Sequence, residues 1–132
     1  MSDIKFGRQT PGGKRRIGYL AVSVRDGRKI LNGVQYAYAV RQANQLRAWG
    51  DPDIGRLLRI EAVEKFFELK LKGNVLGKTN LRIFFGIYEE LVIVLGVYKK
   101  EEEGALPKHV IFRMRNRHRE TKKYLEVPEK RR

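Results

Sequence analysis

Two hydrophobic periods succeed one another along the chain, and the switches between them outline its elements. Ile17–Val24 is rich in β-forming residues and runs into Asp26-Gly27, a turn pair, which predicts a first strand. Asn32 then stands as a helix N-cap with Gln35 three residues on, the spacing of a capping box. Tyr36, Ala39, Val40, Ala43 and Leu46 follow on one helical face, and Gly50-Asp51-Pro52 stops the helix. Asp53 caps a short second helix with Ile54, Leu57 and Leu58 inward, although Gly55 weakens it.

The period then falls to two. Phe67, Leu69 and Leu71 alternate with Glu68, Lys70 and Lys72, the pattern of a half-buried strand with a charged outer face. Leu81, Ile83, Phe85 and Ile87 alternate with Arg82, Phe84, Gly86 and Tyr88. Glu89-Glu90 predicts a tight turn, and Leu91–Tyr98, apolar on both faces, predicts a central strand that completes an antiparallel meander. Pro107 suits the first turn of a last helix, whose buried stripe is Val110, Ile111, Met114 and His118, with Arg113, Arg115, Arg117 and Arg119 around it.

The expected fold is therefore α+β: a mainly antiparallel four-stranded sheet, two N-terminal helices and a C-terminal helix. The helices are expected on one sheet face. The other then exposes Glu68, Lys70, Lys72, Arg82, Phe84, Tyr88 and Tyr98. Cations that meet phosphates and rings that stack on unpaired bases suit RNA.

Charge gives that face a context. The 132 residues include 29 Lys and Arg against 15 Asp and Glu, a net charge of +14, which points to a polyanionic partner. The excess lies mostly outside the meander. Residues 1–16 read as a flexible basic arm, 17–124 as a single domain and 125–132 as a basic tail. The chain has no cysteine, which excludes a disulfide scaffold and a thiolate metal site. It has no apolar run of the roughly 18 residues a membrane span needs, so no membrane partner and a cytoplasmic protein are expected.

Metal-free RNA cleavage needs a base for the 2′-hydroxyl, cations for the crowded phosphate and an acid for the leaving oxygen. Lys70 and Lys72 lie two apart on the open face, where mutual repulsion favours the neutral form of one. Arg82 holds phosphate oxygens in a fork. Of the consecutive pair Lys99 and Lys100 only one faces the site, and Lys99 is expected to be that one, with Lys100 as an RNA contact. Tyr88 and Tyr98 are candidates to stack a base or give a proton, and Phe84 to stack. His109, in the first turn of the last helix, is a candidate acid or base. Arg113–Arg117 and Arg115–Arg119 are like-charged pairs at i, i+4, a repulsive spacing that phosphate would relieve. The two histidines are nine apart with no third ligand, so no metal and no other cofactor are expected.

Each of these residues also has a plain structural reading. Alternating lysines are a solvated strand face, Glu68–Arg82 a surface ion pair, Phe84 and Tyr88 cross-strand packing, and His109 a surface histidine.

Glu68-Leu69-Lys70-Leu71, Leu81-Arg82-Ile83-Phe84-Phe85, Val92–Leu95, Tyr98-Lys99-Lys100 and Pro107 before an Arg-rich helix together resemble the HigB branch of the RelE/ParE toxin superfamily. The likeness covers roughly 46–124. It departs from the family in Lys70, where an Arg is usual, in the acidic Glu101-Glu102-Glu103, and in the first sixteen residues, which have no counterpart. The resemblance implies a RelE-like fold and the toxin of a type II toxin–antitoxin pair. Such a toxin is a metal-independent mRNA endoribonuclease that inhibits translation on the ribosome. The implied partners are mRNA, the ribosome and a helix-turn-helix antitoxin. On this reading Lys70, Arg82, Lys99 and His109 are catalytic, and Lys72, Phe84, Tyr88, Tyr98, Lys100, Arg113 and Arg117 bind RNA. A non-catalytic RNA- or ribosome-binding protein and a ParE-like inhibitor of DNA gyrase are the alternatives.

Overall fold

The computed structural model describes residues 3–6, 15–48, 58–100 and 104–128. Most of the expected basic arm, the Gly50-Asp51-Pro52 stop, most of the short helix at Asp53, the Glu101–Glu103 run and the last four residues lie outside them. In chain order the elements are β1 (Ile4–Phe6), β2 (Arg16–Leu20), α1 (Ala21–Ile30), α2 (Gly33–Asn44), β3 (Arg59–Ala62), β4 (Phe67–Leu71), β5 (Asn80–Tyr88), β6 (Leu91–Lys100) and α3 (Lys108–Glu126). The α2 helix tightens into a 3₁₀ turn over Gln45–Ala48.

The strands form one sheet in the order β1-β2-β6-β5-β4-β3. All neighbours are antiparallel except β2 and β6, which run parallel. This corrects the expected mainly antiparallel four-stranded sheet with two N-terminal helices. Six strands are present among the described residues, the sheet is mixed, and two strands precede the first helix. The added strands, Ile4–Phe6 and Arg59–Ala62, have three and four residues, too few to show an alternating period.

The first predicted strand is also shorter than expected. β2 meets β6 only along Leu91–Val94. Past Leu20 the chain becomes α1, with Asp26-Gly27 inside it, and packs against β6. Gly27 is buried there: a Cβ would sit 3.2 Å from the Tyr36 ring. There Ala21–Ile30 satisfies its own backbone as a helix. The α2 boundary is as predicted. The Asn32 side chain accepts from the Gln35 amide at 2.9 Å, and the Gln35 side chain accepts in return from the Asn32 amide at 3.2 Å.

The helices do not share one face. α2, with Ala39, Ala43 and the following Leu46, packs on a core containing Ile17, Leu69, Leu81, Ile83, Phe85 and Val94. α3 lies across the opposite face, where Val110 and Met114 cover Phe84, Tyr88, Ile93 and Leu95. The physical reason lies in β5 itself. Its second face begins polar at Arg82 but continues Phe84, Gly86, Tyr88, which is a surface that needs a cover. Gly96, opposite Phe84, admits that cover, because a Cβ there would collide with the Met114 side chain and the Arg117 guanidinium. Only the end of this face near Arg82 stays open.

Phe84 thus belongs to the core, with none of its surface exposed and its ring edge-on to Phe66 at 6.3 Å between centroids. Phe84→Ala is expected to cost about 3–5 kcal/mol of stability, as for a buried ring. An RNA-stacking ring on an open face would cost far less. Urea denaturation of the variant decides between the two.

Candidate functional site

Strand register builds one row of side chains across the open end of the sheet. Arg59 on β3 opposes Lys70 on β4, Lys70 opposes Arg82 on β5, and Arg82 opposes Tyr98 on β6. Directly opposed residues share a face, so three cations and a phenol stand side by side. Lys72, Asn80 and Lys100 extend the row into a cleft with Arg59, Lys70 and Arg82. Like charges in such a row repel, and the next row supplies the counterweight: Glu61 opposes Glu68.

The carboxylates hold the cations from below. Lys70 Nζ lies 2.7 Å from Glu61 Oε2 and 3.9 Å from Glu68 Oε1. Arg82 Nε lies 3.6 Å from Glu68 Oε2, close enough for charge attraction but too far for a hydrogen bond. Glu68 is only 7% exposed, and its Oε2 is buried without a hydrogen-bond partner among the described residues. Burial pushes the Glu68 carboxyl above the usual carboxylate range, against the opposing pull of Arg82 and Lys70. Glu61 is the reverse case. Its hydrogen bond from Lys70 and the lysine's charge hold it below that range. The anionic form is thereby favoured for the acid at the rim and disfavoured by burial for the one beneath the cations.

Lys100 joins the cleft and Lys99 does not. Lys99 opposes Leu81, whose side chain enters the core beneath α2, and is itself exposed. Lys100 is 8% exposed and donates to the Gly104 carbonyl. The expectation that Lys99 faces the site is corrected on this register.

The other candidates part company with the cleft. Phe84 and Tyr88 are buried under α3, and the Tyr88 hydroxyl bonds His118 Nδ1 at 2.6 Å. Arg117 donates to Asp26 at 2.7 Å and to the Leu95 carbonyl at 2.9 Å, so it ties α3 to α1 and the sheet instead of presenting itself to RNA. Arg115 makes a two-pronged bond to Glu64 at 2.7 and 2.6 Å. The repulsive i, i+4 spacing on this helix is thus relieved in part by the protein's own carboxylates. Arg113 is exposed on α3. His109 is exposed and lines a separate groove with Ile111, Phe112 and Arg115. Lys70, Lys72, Arg82, Tyr98 and Lys100 are therefore the predicted residues that share one surface. Arg59 and the buried state of Glu68 are additions from the structure. Glu68 had a sequence signal, since it alternates in phase with Lys70, but its burial depends on tertiary packing.

Among the described residues no cluster of three metal-ligating side chains occurs, and no helix is long and apolar enough to cross a membrane.

The Glu68 pKa has a thermodynamic sign. Between the unfolded and the raised folded value the native state binds more protons, so stability falls as pH rises through that window. Glu68→Gln removes the titration. Stability measured from acid to neutral pH is expected to show the wild type losing ground to the variant as pH rises. Parallel curves would mean that Glu68 ionises without penalty.

Comparison with known proteins found no match: no protein-family model, no curated protein and no solved structure resembles the chain significantly.

Proposed function

We propose that the protein is a metal-independent endoribonuclease, acting as the toxin of a type II toxin–antitoxin pair, with its site in the Arg59–Lys70–Arg82–Tyr98 row. The observation that carries this reading is convergence. Lys70, Arg82, Tyr98 and Lys100 come from three separate strands, the same three segments that carry the resemblance to HigB toxins; the three cations line one cleft over a buried carboxyl, and Tyr98 stands beside Arg82.

Roles follow from chemistry. Arg82 and Lys100 hold the non-bridging oxygens of the scissile phosphate, with Arg59 and Lys72 on the neighbouring phosphates. The 2′-oxygen attacks phosphorus and its proton passes to Glu68, whose carboxylate burial makes a stronger base. Tyr98 gives a proton to the departing 5′-oxygen. The products are a 2′,3′-cyclic phosphate and a 5′-hydroxyl end. mRNA and the ribosome are the substrates this reading supplies, and an antitoxin that covers the cationic row is its partner.

A second reading is RNA binding without cleavage. It is favoured by one observation: Glu68 Oε2 is closed off from solvent, which a base must overcome on binding substrate.

Two measurements separate the readings. Arg82→Ala and Lys100→Ala are each expected to weaken single-stranded RNA binding and to reduce the slope of log affinity against log salt by about 0.7 per lost phosphate contact. Glu68→Gln is expected to keep binding and lose cutting, seen by mapping new 5′ ends in mRNA after expression. Binding without new ends in the wild type selects the second reading. An unchanged salt slope in Arg82→Ala removes the site.

A further inference from the structure

A second cationic cleft lies on the α3 side of the molecule, between that helix and the link that joins β3 to β4. Lys65 and Phe66 come from the link, and Arg115, His118, Arg119 and Lys122 from α3. None of these residues lines the Arg59–Lys70–Arg82 cleft. Helical spacing explains the grouping: 115, 118, 119 and 122 follow at i, i+3, i+4 and i+7. Phe66 is fully buried and packs beside His118, with 6.2 Å between ring centroids.

The charges here are uncompensated in a specific way. Glu64 is the cleft's one carboxylate among the described residues, and Arg115 engages both its oxygens. Among the described residues no carboxylate lies within ion-pair distance of Lys65, Arg119 or Lys122. An adjoining cleft shares Lys65, His118 and Lys122 but carries Glu89, Glu90 and Glu126 as well.

His118 stands between the two clefts with its ring fixed. The buried Tyr88 phenol is held protonated, since burial pushes its pKa up, and its hydroxyl shares a hydrogen bond with Nδ1 at 2.6 Å. Burial, then Lys122 and Lys65, lower the His118 pKa below the ordinary histidine value. On protonation the Tyr88 hydroxyl can accept from Nδ1 and turn its own proton toward the His118 carbonyl, 3.5 Å away.

We infer that this cleft is a binding site for a phosphate monoester, with Lys65, Arg119 and Lys122 supplying charge and His118 a hydrogen-bond donor that strengthens on protonation. Three free cations and a protonatable ring match a dianion better than the single charge of a diester. The inference does not depend on the ribonuclease reading. Linkage gives the sign: a bound dianion stabilises the imidazolium, so the His118 pKa rises on binding, and affinity for a dianion that does not itself titrate grows as pH falls toward it.

The test is an NMR titration of both histidines at constant ionic strength. It is run in chloride, then with inorganic phosphate, with adenosine 5′-monophosphate, and with sulfate as a dianion that does not titrate. His109, exposed at the other end of α3, is the internal reference. The expected result is a rise of about one pKa unit at His118 with sulfate and with at least one phosphate probe, and none at His109. A larger effect of the nucleotide identifies a nucleotide as the source, and equal effects identify the phosphate group alone. In Lys65→Gln/Lys122→Gln the rise is expected to vanish. Both lysines are exposed, so the fold is retained. A His118 pKa that no probe moves, or that moves equally in the double variant, overturns the site.

Discussion

The arrangement depends on one extra residue in β6. β5 and β6 pair in strict register from the Glu89-Glu90 turn to Phe85–Val94, and then Phe84 pairs with Gly96. Leu95 has no partner, which makes it a β-bulge. Because side chains alternate, one inserted residue exchanges the two faces of everything beyond it. Without it Val97 and Lys99 would stand beside Arg82, and Tyr98 and Lys100 would face α2. With it the phenol and the buried lysine join the cationic row. The same bulge leaves the Leu95 carbonyl for the Arg117 guanidinium and sets Gly96 opposite Phe84, where Met114 needs room. The open cleft and the helix that closes the rest of the face therefore share one origin.

That dependence separates what was legible in the sequence from what was not. The meander, its tight turn, the Asn32 capping box and the Pro107 start of the last helix were legible, because each is written in neighbouring residues. The turn even shows its strain locally, with Glu89 at a φ of 56°. Lys70, Lys72 and Arg82 followed from alternation along single strands. The preference for Lys99 over Lys100 failed because apolar residues fill both faces of Leu91–Val97, and a bulge inside such a run leaves no break in the pattern. The cover over Phe84 and Tyr88 was hidden for a similar reason. A strand with an arginine and then aromatics on one face reads equally as an RNA platform and as half core. Only α3 decides, and its placement is a tertiary fact.

The acids show a further economy. Of the protein's net +14, much must coexist with a fold in which cations sit side by side. Asp26, Glu61, Glu64 and Glu68 each lie against an Arg or Lys from a different element or strand. At Asp26 and Glu64 the pairing pins α3 to α1 and to the link before β4, so those carboxylates are structural. At Glu61 and Glu68 it holds Lys70 and Arg82 in place on an open surface, and there the pairing is incomplete.

That incompleteness matters for ligand binding. A fully satisfied ion pair would neutralise the row and leave it inert toward phosphate. A row without acids would repel itself and lose its fixed geometry. Glu68 sits between these limits: near enough to Arg82 to orient it, too far to hydrogen-bond it, and too buried to ionise freely. A phosphate that docks on Arg82 would draw it toward itself and weaken its hold on Glu68. The carboxyl would then take a proton more readily. The same physics would link anion binding to proton uptake at His118. In both places burial shifts a titratable group against its charged form, beside lysines and arginines.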